Sequence, residues 1–198
     1  MRVTGGTARG RRLKGPPAGV RPTSDLVREA IFDALGAQGV NLERVLDLYA
    51  GSGALGIEAL SRGGNWCDFV ERDARNAAII RENVMRTGLG ERARVHRMAV
   101  ERAPERLEGP YSLLLADPPY DDEAAAAALE GIARSELVGE GSVLVWEQSR
   151  RQPAPPSLGP LRLTWSRRYG DTQVSIYRAE LAAVGPGRPR PQAEEGPS

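Results

Sequence analysis

Apolar positions along the chain fall into short blocks that alternate between two spacings. In "RPTSDLVREAIFDALG" Leu26, Val27, Ala30, Ile31, Ala34 and Leu35 recur at helical spacing, with Ser24 placed to cap the start and Gly36 to stop it. The next block, "RVLDLY" at 44–49, is short and nearly continuous, as in a buried strand, and "ALGIEALSRG" returns to the helical period. "WCDFVE" (66–71) reads as a strand, and "DARNAAIIRENVMRTG" as a helix capped by Asp73 and closed by Gly88. The alternation continues with strands "ARVHRM" (93–98) and "SLLLAD" (112–117), an alanine-rich helix over 122–134, and a strand "SVLVWE" (142–147). Two closing strands, "LRLTWSRRY" and "TQVSIYRAE", flank Gly170-Asp171, a hairpin turn signal.

Strands separated by helices imply an α/β fold with a mostly parallel sheet, and the final hairpin adds an antiparallel edge. No internal repeat is present. The segment "RQPAPPSLGP" reads as a surface connection, and "GPGRPRPQAEEGPS" has the composition of a disordered tail. The expected organisation is a basic arm over 1–22, one domain over 23–182 and a tail over 183–198. With 198 residues and 40% hydrophobic content, one good core is the natural expectation.

The single cysteine, Cys67, excludes an internal disulfide framework, and no Cys/His spacing suits a structural metal. No run approaches the roughly 20 apolar residues that cross a bilayer, and the N-terminus lacks a signal-peptide core, so a cytoplasmic protein is expected. The net charge is only +1, but Arg2, Arg9, Arg11, Arg12, Lys14 and Arg21 cluster before residue 24 with no acidic neighbour. Such an arm is either a phosphate-binding surface or a solvated tail.

In a sheet of this kind ligands bind beyond the carboxyl ends of the strands. The first strand runs into "DLYAGSGALG", where Gly51, Gly53 and Gly56 satisfy G-x-G-x-x-G, and Glu71 ends the next strand, placed to accept from ribose hydroxyls. That pattern signals a nucleoside cofactor. Asp47 separates the two classes: it would oppose the pyrophosphate of a dinucleotide but attract the ammonium and sulfonium of S-adenosylmethionine. The expected cofactor loop is Asp47, Tyr49, Gly51, Ser52, Gly53 and Leu55, with Glu71.

The fourth strand ends in "DPPY". Pro118 and Pro119 fix the backbone in an extended shape, and their carbonyls, beside the Asp117 carboxylate, form convergent acceptors for an exocyclic amine. Tyr120 supplies a stacking face for a base. A nucleobase amine is a poor nucleophile, and acceptors on both N–H bonds orient its lone pair and stabilise the charge that develops on nitrogen. No metal is required. Cys67, inside a strand, reads as a packing residue rather than the nucleophile a carbon-methylating enzyme would want. His96 reads as structural, Trp66 and Trp146 as packing residues, and Glu147 as either a polar support or an exposed strand end.

"RVTGGTARGRRL", "RPTSDLVREAIFDAL", "DLYAGSGALGIEALSRG", "DPPY" and "YGDTQVSIY", in that order over roughly residues 2–178, resemble the RsmD family of 16S ribosomal RNA guanine-N2 methyltransferases. The resemblance implies a Rossmann-like class I methyltransferase fold with a mostly parallel seven-stranded sheet and a C-terminal antiparallel hairpin strand. It implies S-adenosylmethionine as donor and a loop guanine of 16S ribosomal RNA, in the assembled small subunit, as target of a monomeric enzyme. By position it places Asp117, Pro118 and Tyr120 on the guanine amine, and Arg21 and Thr23 at the methionine end of the cofactor. In place of the acid or amide that often follows the third strand stands Ala99, so adenine would rest on backbone around Met98 to Val100. Arg2, Arg9, Arg11, Arg12 and Lys14 would contact RNA. The alternatives that remain are a DNA adenine-N6 methyltransferase, though the chain has no room for the usual recognition insert, a dinucleotide-binding oxidoreductase, and a non-catalytic RNA-binding module.

Overall fold

Buried strand blocks with side chains alternating between two faces need cover on both, and the chain supplies it with helices on either side of one sheet. The computed structural model describes residues 1–15, 24–119 and 122–179. In chain order the strands are β1 (Arg44–Leu48), β2 (Trp66–Glu71), β3 (Ala93–Arg97), β4 (Tyr111–Ala116), β5 (Val138–Ser149), β6 (Ser157–Leu158), β7 (Leu161–Tyr169) and β8 (Thr172–Ala179). The helices are α1 (Asp25–Ala37), α2 (Ala54–Ser61), α3 (Ala74–Thr87), α4 (Ala103–Arg106) and α5 (Ala125–Ala133). Sheet order is β3-β2-β1-β4-β5-β8-β7-β6. β1 to β5 pair in parallel, and β8, β7 and β6 add antiparallel neighbours.

The period of two is visible in the core. Val45, Phe69, Leu113, Val145 and Ile176 point to the face covered by α1, α2 and α3, while Leu46, Val70, Leu114, Leu144 and Tyr177 point to the face carrying α4 and α5. Boundaries differ from the sequence expectation in several places, among them the start of α5, at Ala125 rather than 122. Helix α1 runs through Gly36 to Ala37, because Gly36 is exposed and costs the helix only propensity, and Gly39 at φ +61° follows the actual end. Strand β5 extends well beyond 142–147. The expected seven strands are joined by a two-residue eighth, β6, inside what reads as a surface connection.

The N-terminal residues are not a solvated tail. Val3, Ala8 and Leu13 are buried in the same core cluster as α1 and α2. Residues 1–14 double back on themselves, with Val3 N–H donating to the Arg11 carbonyl (3.0 Å) and Leu13 N–H to Met1 (3.2 Å). Buried Glu58 of α2 anchors them: its carboxylate accepts from Thr4 N–H (2.8 Å), Thr4 Oγ1 (2.6 Å) and Gly5 N–H (2.7 Å). Arg62 Nε also donates to it (2.9 Å), and Arg28 Nε, fully buried on α1, lies 3.4 Å away. Glu58 therefore ties the first residues, α1 and α2 together. No helix among the described residues is long and apolar enough to cross a membrane.

Candidate functional site

Strand order decides what meets at the carboxyl edge. β1 lies between β2 and β4, so the loop after β1, the acid ending β2 and the acid after β4 become neighbours. The β1 loop begins under strain: Tyr49 is held at φ +55°, a conformation rare for a bulky residue. Gly53, at φ +78°, caps α2 in a left-handed conformation that a side chain would disfavour. Gly56 sits where a Cβ would meet Phe69 Cε1 at 2.4 Å and Cys67 Sγ at 2.7 Å, so its absence of a side chain lets α2 lie close on β2.

Two carboxylates hold this loop. Glu71, buried, accepts from Gly51 N–H through Oε2 (2.8 Å) and from Asp73 N–H through Oε1 (2.7 Å). Asp47, buried, accepts from Gly56 N–H at 2.9 Å, in the first turn of α2. Burial pushes the Asp47 carboxyl well above its ordinary range; the Gly56 bond opposes this, and the nearby Asp117 and Glu71 carboxylates add to it. The three acids thus converge, and their mutual repulsion favours a cationic ligand. Such a donor set fits the ammonium and sulfonium of S-adenosylmethionine and is wrong for a pyrophosphate.

Asp117 follows β4 directly, beyond the register pairs Leu48 with Ala116 and Ala116 with Trp146. Pro118 is buried and Pro119 exposed. The expectation that both proline carbonyls face a ligand needs one correction. Pro119 accepts from Asp122 N–H at 3.0 Å, because the chain turns back toward α5, so only the Pro118 carbonyl remains a candidate beside Asp117. Tyr120, Arg21 and Thr23 lie outside the described residues.

The other expected cofactor residues divide. The Ser52 carbonyl accepts from Asn83 Nδ2 (2.9 Å) and its hydroxyl contacts Met1 Sδ (3.8 Å), while Leu55 packs into the core. Met98 N–H donates to the Glu71 carbonyl (3.2 Å) and the Ala99 carbonyl accepts from Arg102 N–H (3.1 Å), so two backbone groups near the expected adenine position are occupied. Of the described basic arm residues, Arg2, Arg9, Arg11, Arg12 and Lys14, all exposed, Lys14 is paired with Glu82 (2.8 Å) and Arg11 donates to the Arg86 carbonyl (2.7 Å). Arg2, Arg9 and Arg12 make no ion pair among the described residues.

Cys67 is fully buried, and burial raises its thiol well above the ordinary range, consistent with a packing role. Glu147 is buried rather than an exposed strand end. Sequence reasoning missed three polar groups at the same edge. Trp146 Nε1, Gln148 Oε1 and Gln173 Oε1 are buried without a hydrogen-bond partner among the described residues, and β5–β8 register pairs Gln148 with Gln173. Unsatisfied buried polar atoms are uncommon, and here a donor and two acceptors lie on β5, the neighbour of β4, and on β8 beyond it. No local signal marks them, since only cross-strand register brings the two glutamines together. The Tyr49 hydroxyl is likewise buried and without a hydrogen-bond partner among the described residues. Its pKa is pushed up by burial and by the Asp122 and Glu101 carboxylates.

Comparison with known proteins adds independent findings. Residues 1–178 match the family model described as conserved hypothetical protein 95. A Bacillus subtilis protein named "Putative rRNA methyltransferase YlbH" is 38% identical over 182 residues, covering 90% of this chain and 98% of that protein. "Ribosomal RNA small subunit methyltransferase D" of Escherichia coli K12 is 36% identical over 121 residues, 61% of this chain and 60% of that protein. The solved structure titled "Putative methyltransferase yhhF from Escherichia coli" superposes with a TM-score of 0.79 at 26% identity, covering 91% of this chain and 98% of that one.

Proposed function

The chain belongs to the RsmD family of ribosomal RNA methyltransferases, and on that premise we propose that it methylates the exocyclic N2 amine of one guanine in 16S ribosomal RNA, using S-adenosylmethionine. The reading rests chiefly on the Asp117-Pro118 acceptor pair following β4, next to the acid-held glycine loop of β1. The cofactor, when bound, supplies a methyl group on a sulfonium leaving group.

Asp47 balances the positive charge of the cofactor, and Glu71 orients its ribose while keeping the loop closed through Gly51. Asp117 and the Pro118 carbonyl accept the two amine protons, which turns the nitrogen lone pair toward the methyl and stabilises the cationic nitrogen formed on transfer. Tyr120 stacks on the flipped base. Trp146 Nε1 and Gln148 Oε1 offer a donor and an acceptor for the base edge, matching a guanine O6 and N1–H. Arg2, Arg9 and Arg12 contact phosphates of the small subunit, where the protein acts as a monomer in the cytoplasm.

The test is transfer of labelled methyl to small ribosomal subunits followed by nucleoside analysis. N2-methylguanosine is expected, and inosine at the target position, which lacks the amine, must abolish it. Asp117→Ala is expected to slow transfer by about 100-fold or more, on the order of 3 kcal/mol, with RNA binding largely kept. Methylation of the inosine substrate, of an adenine amine, or of a ring carbon would refute the guanine-amine reading.

A further inference from the structure

The amino-terminal ends of β1 and β2, with the adjoining length of β3, carry a cleft that the proposed chemistry does not use. Register places Arg44 beside Trp66, Asp68 beside Arg94, and Val70 beside His96, all on the face that carries α4 and α5. Further along β1 and β2 on that face the inward positions, Leu46, Leu48 and Val70, are apolar. Here they are cationic, aromatic or acidic, and α4, only four residues long, leaves them uncovered. The resulting cleft of about 460 Å³ is lined by Arg44, Trp66, Arg94, His96, Arg106 and Tyr111, with Asp68 at its base and Glu108 and Leu107 completing it.

This is a built surface rather than a chance patch. Asp68, 5% exposed, accepts from Trp66 Nε1 (2.8 Å), Tyr111 OH (2.9 Å) and His96 Nε2 (2.7 Å), so one carboxylate fixes the orientation of three rings. Its charge is thereby spent on neighbours. Arg44 is held over the Tyr111 ring, 4.6 Å from its centroid, and donates to the Glu108 carbonyl at 2.5 Å. Arg94 and Arg106 are exposed and make no ion pair or hydrogen bond among the described residues. Two uncommitted guanidinium groups beside a half-exposed indole with a fixed plane suit one chemistry: a phosphate joined to a stackable base. The volume lies in the range of pockets that admit a ligand of that size.

We infer that this cleft is a second RNA contact, binding a single-stranded nucleotide of the substrate through phosphate on Arg94 and Arg106 and base on Trp66. Arg44 and Asp47 are three residues apart on β1, which separates the cleft from the methyl-transfer site by roughly 10 Å along the strand. A substrate chain occupying both sites would be held at two points, fixing its register without reading the methylated base. The inference rests on RNA being the substrate, not on which base is methylated.

His96 is the only histidine, so its ring gives a unique nuclear magnetic resonance signal from the whole protein. Titration with a short single-stranded RNA oligonucleotide is expected to shift that signal saturably. Arg94→Glu combined with Arg106→Glu should weaken RNA binding at least tenfold and flatten its salt dependence by about one log unit per log unit of salt, as for loss of one to two phosphate contacts. Affinity for S-adenosylhomocysteine by calorimetry should stay within twofold. No saturable His96 shift, or an unchanged RNA affinity and salt slope in the double variant, would overturn the inference. Inorganic pyrophosphate shifting His96 at the same midpoint as the oligonucleotide would also overturn it, leaving a free-anion site. A wrong target base in the methyl-transfer assay would refute the proposed activity while leaving these binding results standing.

Discussion

Replacing Glu58 with alanine removes the carboxylate on which the first residues, α1 and α2 converge. Three donors from Thr4 and Gly5 lose their acceptor, Arg62 Nε loses a 2.9 Å partner, and the Arg28 guanidinium, 0% exposed, loses the buried negative charge 3.4 Å from its Nε. Breaking a buried ion pair from one side costs about 3–5 kcal/mol; Arg28 keeps Asp25 at 2.7 Å, which lowers that cost, but the unmet Thr4 and Gly5 donors add their own, so the same range is expected. For a chain of this size each kcal/mol moves the melting temperature by about 2–4 °C, so a fall of about 6–20 °C is expected in thermal unfolding. The same loss should release the arm, exposing the Arg9, Arg11 and Arg12 bonds to trypsin well below the melting temperature. Glu58→Gln keeps one acceptor oxygen but turns an amide N–H₂ toward donors, and should cost less, about 1–3 kcal/mol. Combining Glu58→Met with Arg28→Met removes both charges and should recover only the share of the loss that comes from Arg28, since the Thr4, Gly5 and Arg62 donors still lack their acceptor. A Glu58→Ala protein melting within 2 °C of the wild type, with trypsin cleavage unchanged, would show that the network does not hold the arm.

Two further expectations concern the cofactor loop. The Asp47 carboxyl has a raised pKa in the folded protein, so the folded state holds its proton more tightly than the unfolded chain. The resulting stabilisation is complete below the ordinary aspartate range, near pH 4, and is lost as pH rises through the raised value. Melting temperature measured against pH should therefore fall less steeply over this window in Asp47→Asn. Affinity for S-adenosylmethionine should rise with pH in the wild type but stay flat and at least tenfold weaker in the variant at neutral pH; identical pH profiles would exclude Asp47 as the titrating group. Gly53→Ala forces a side chain onto a residue at φ +78°, with the new Cβ 3.1 Å from Ile80 Cγ2. It should cost about 1–2 kcal/mol and weaken S-adenosylhomocysteine binding in calorimetry, and unchanged affinity would remove this turn from the cofactor site.

What the linear sequence determined was local. Alternation of period two and period 3.6 identified the strands other than the two-residue β6, and the principal helices, since each spacing reflects which side chains share a face. The glycine loop and "DPPY" were legible because a left-handed cap, a close helix approach and a proline-stiffened strand end are each imposed by residues adjacent in the chain. Relations between strands were beyond its reach. Placing β1 between β2 and β4 brings Asp47, Glu71 and Asp117 together, and cross-strand register sets Gln148 against Gln173 and assembles the cleft around Asp68. Glu58 reads as one polar position in a short helix, "ALGIEALS", until the first five residues and α1 fold onto it. Alternation says which face a side chain takes within its own strand; only pairing energies summed over the whole sheet and its cover decide which neighbour it meets there.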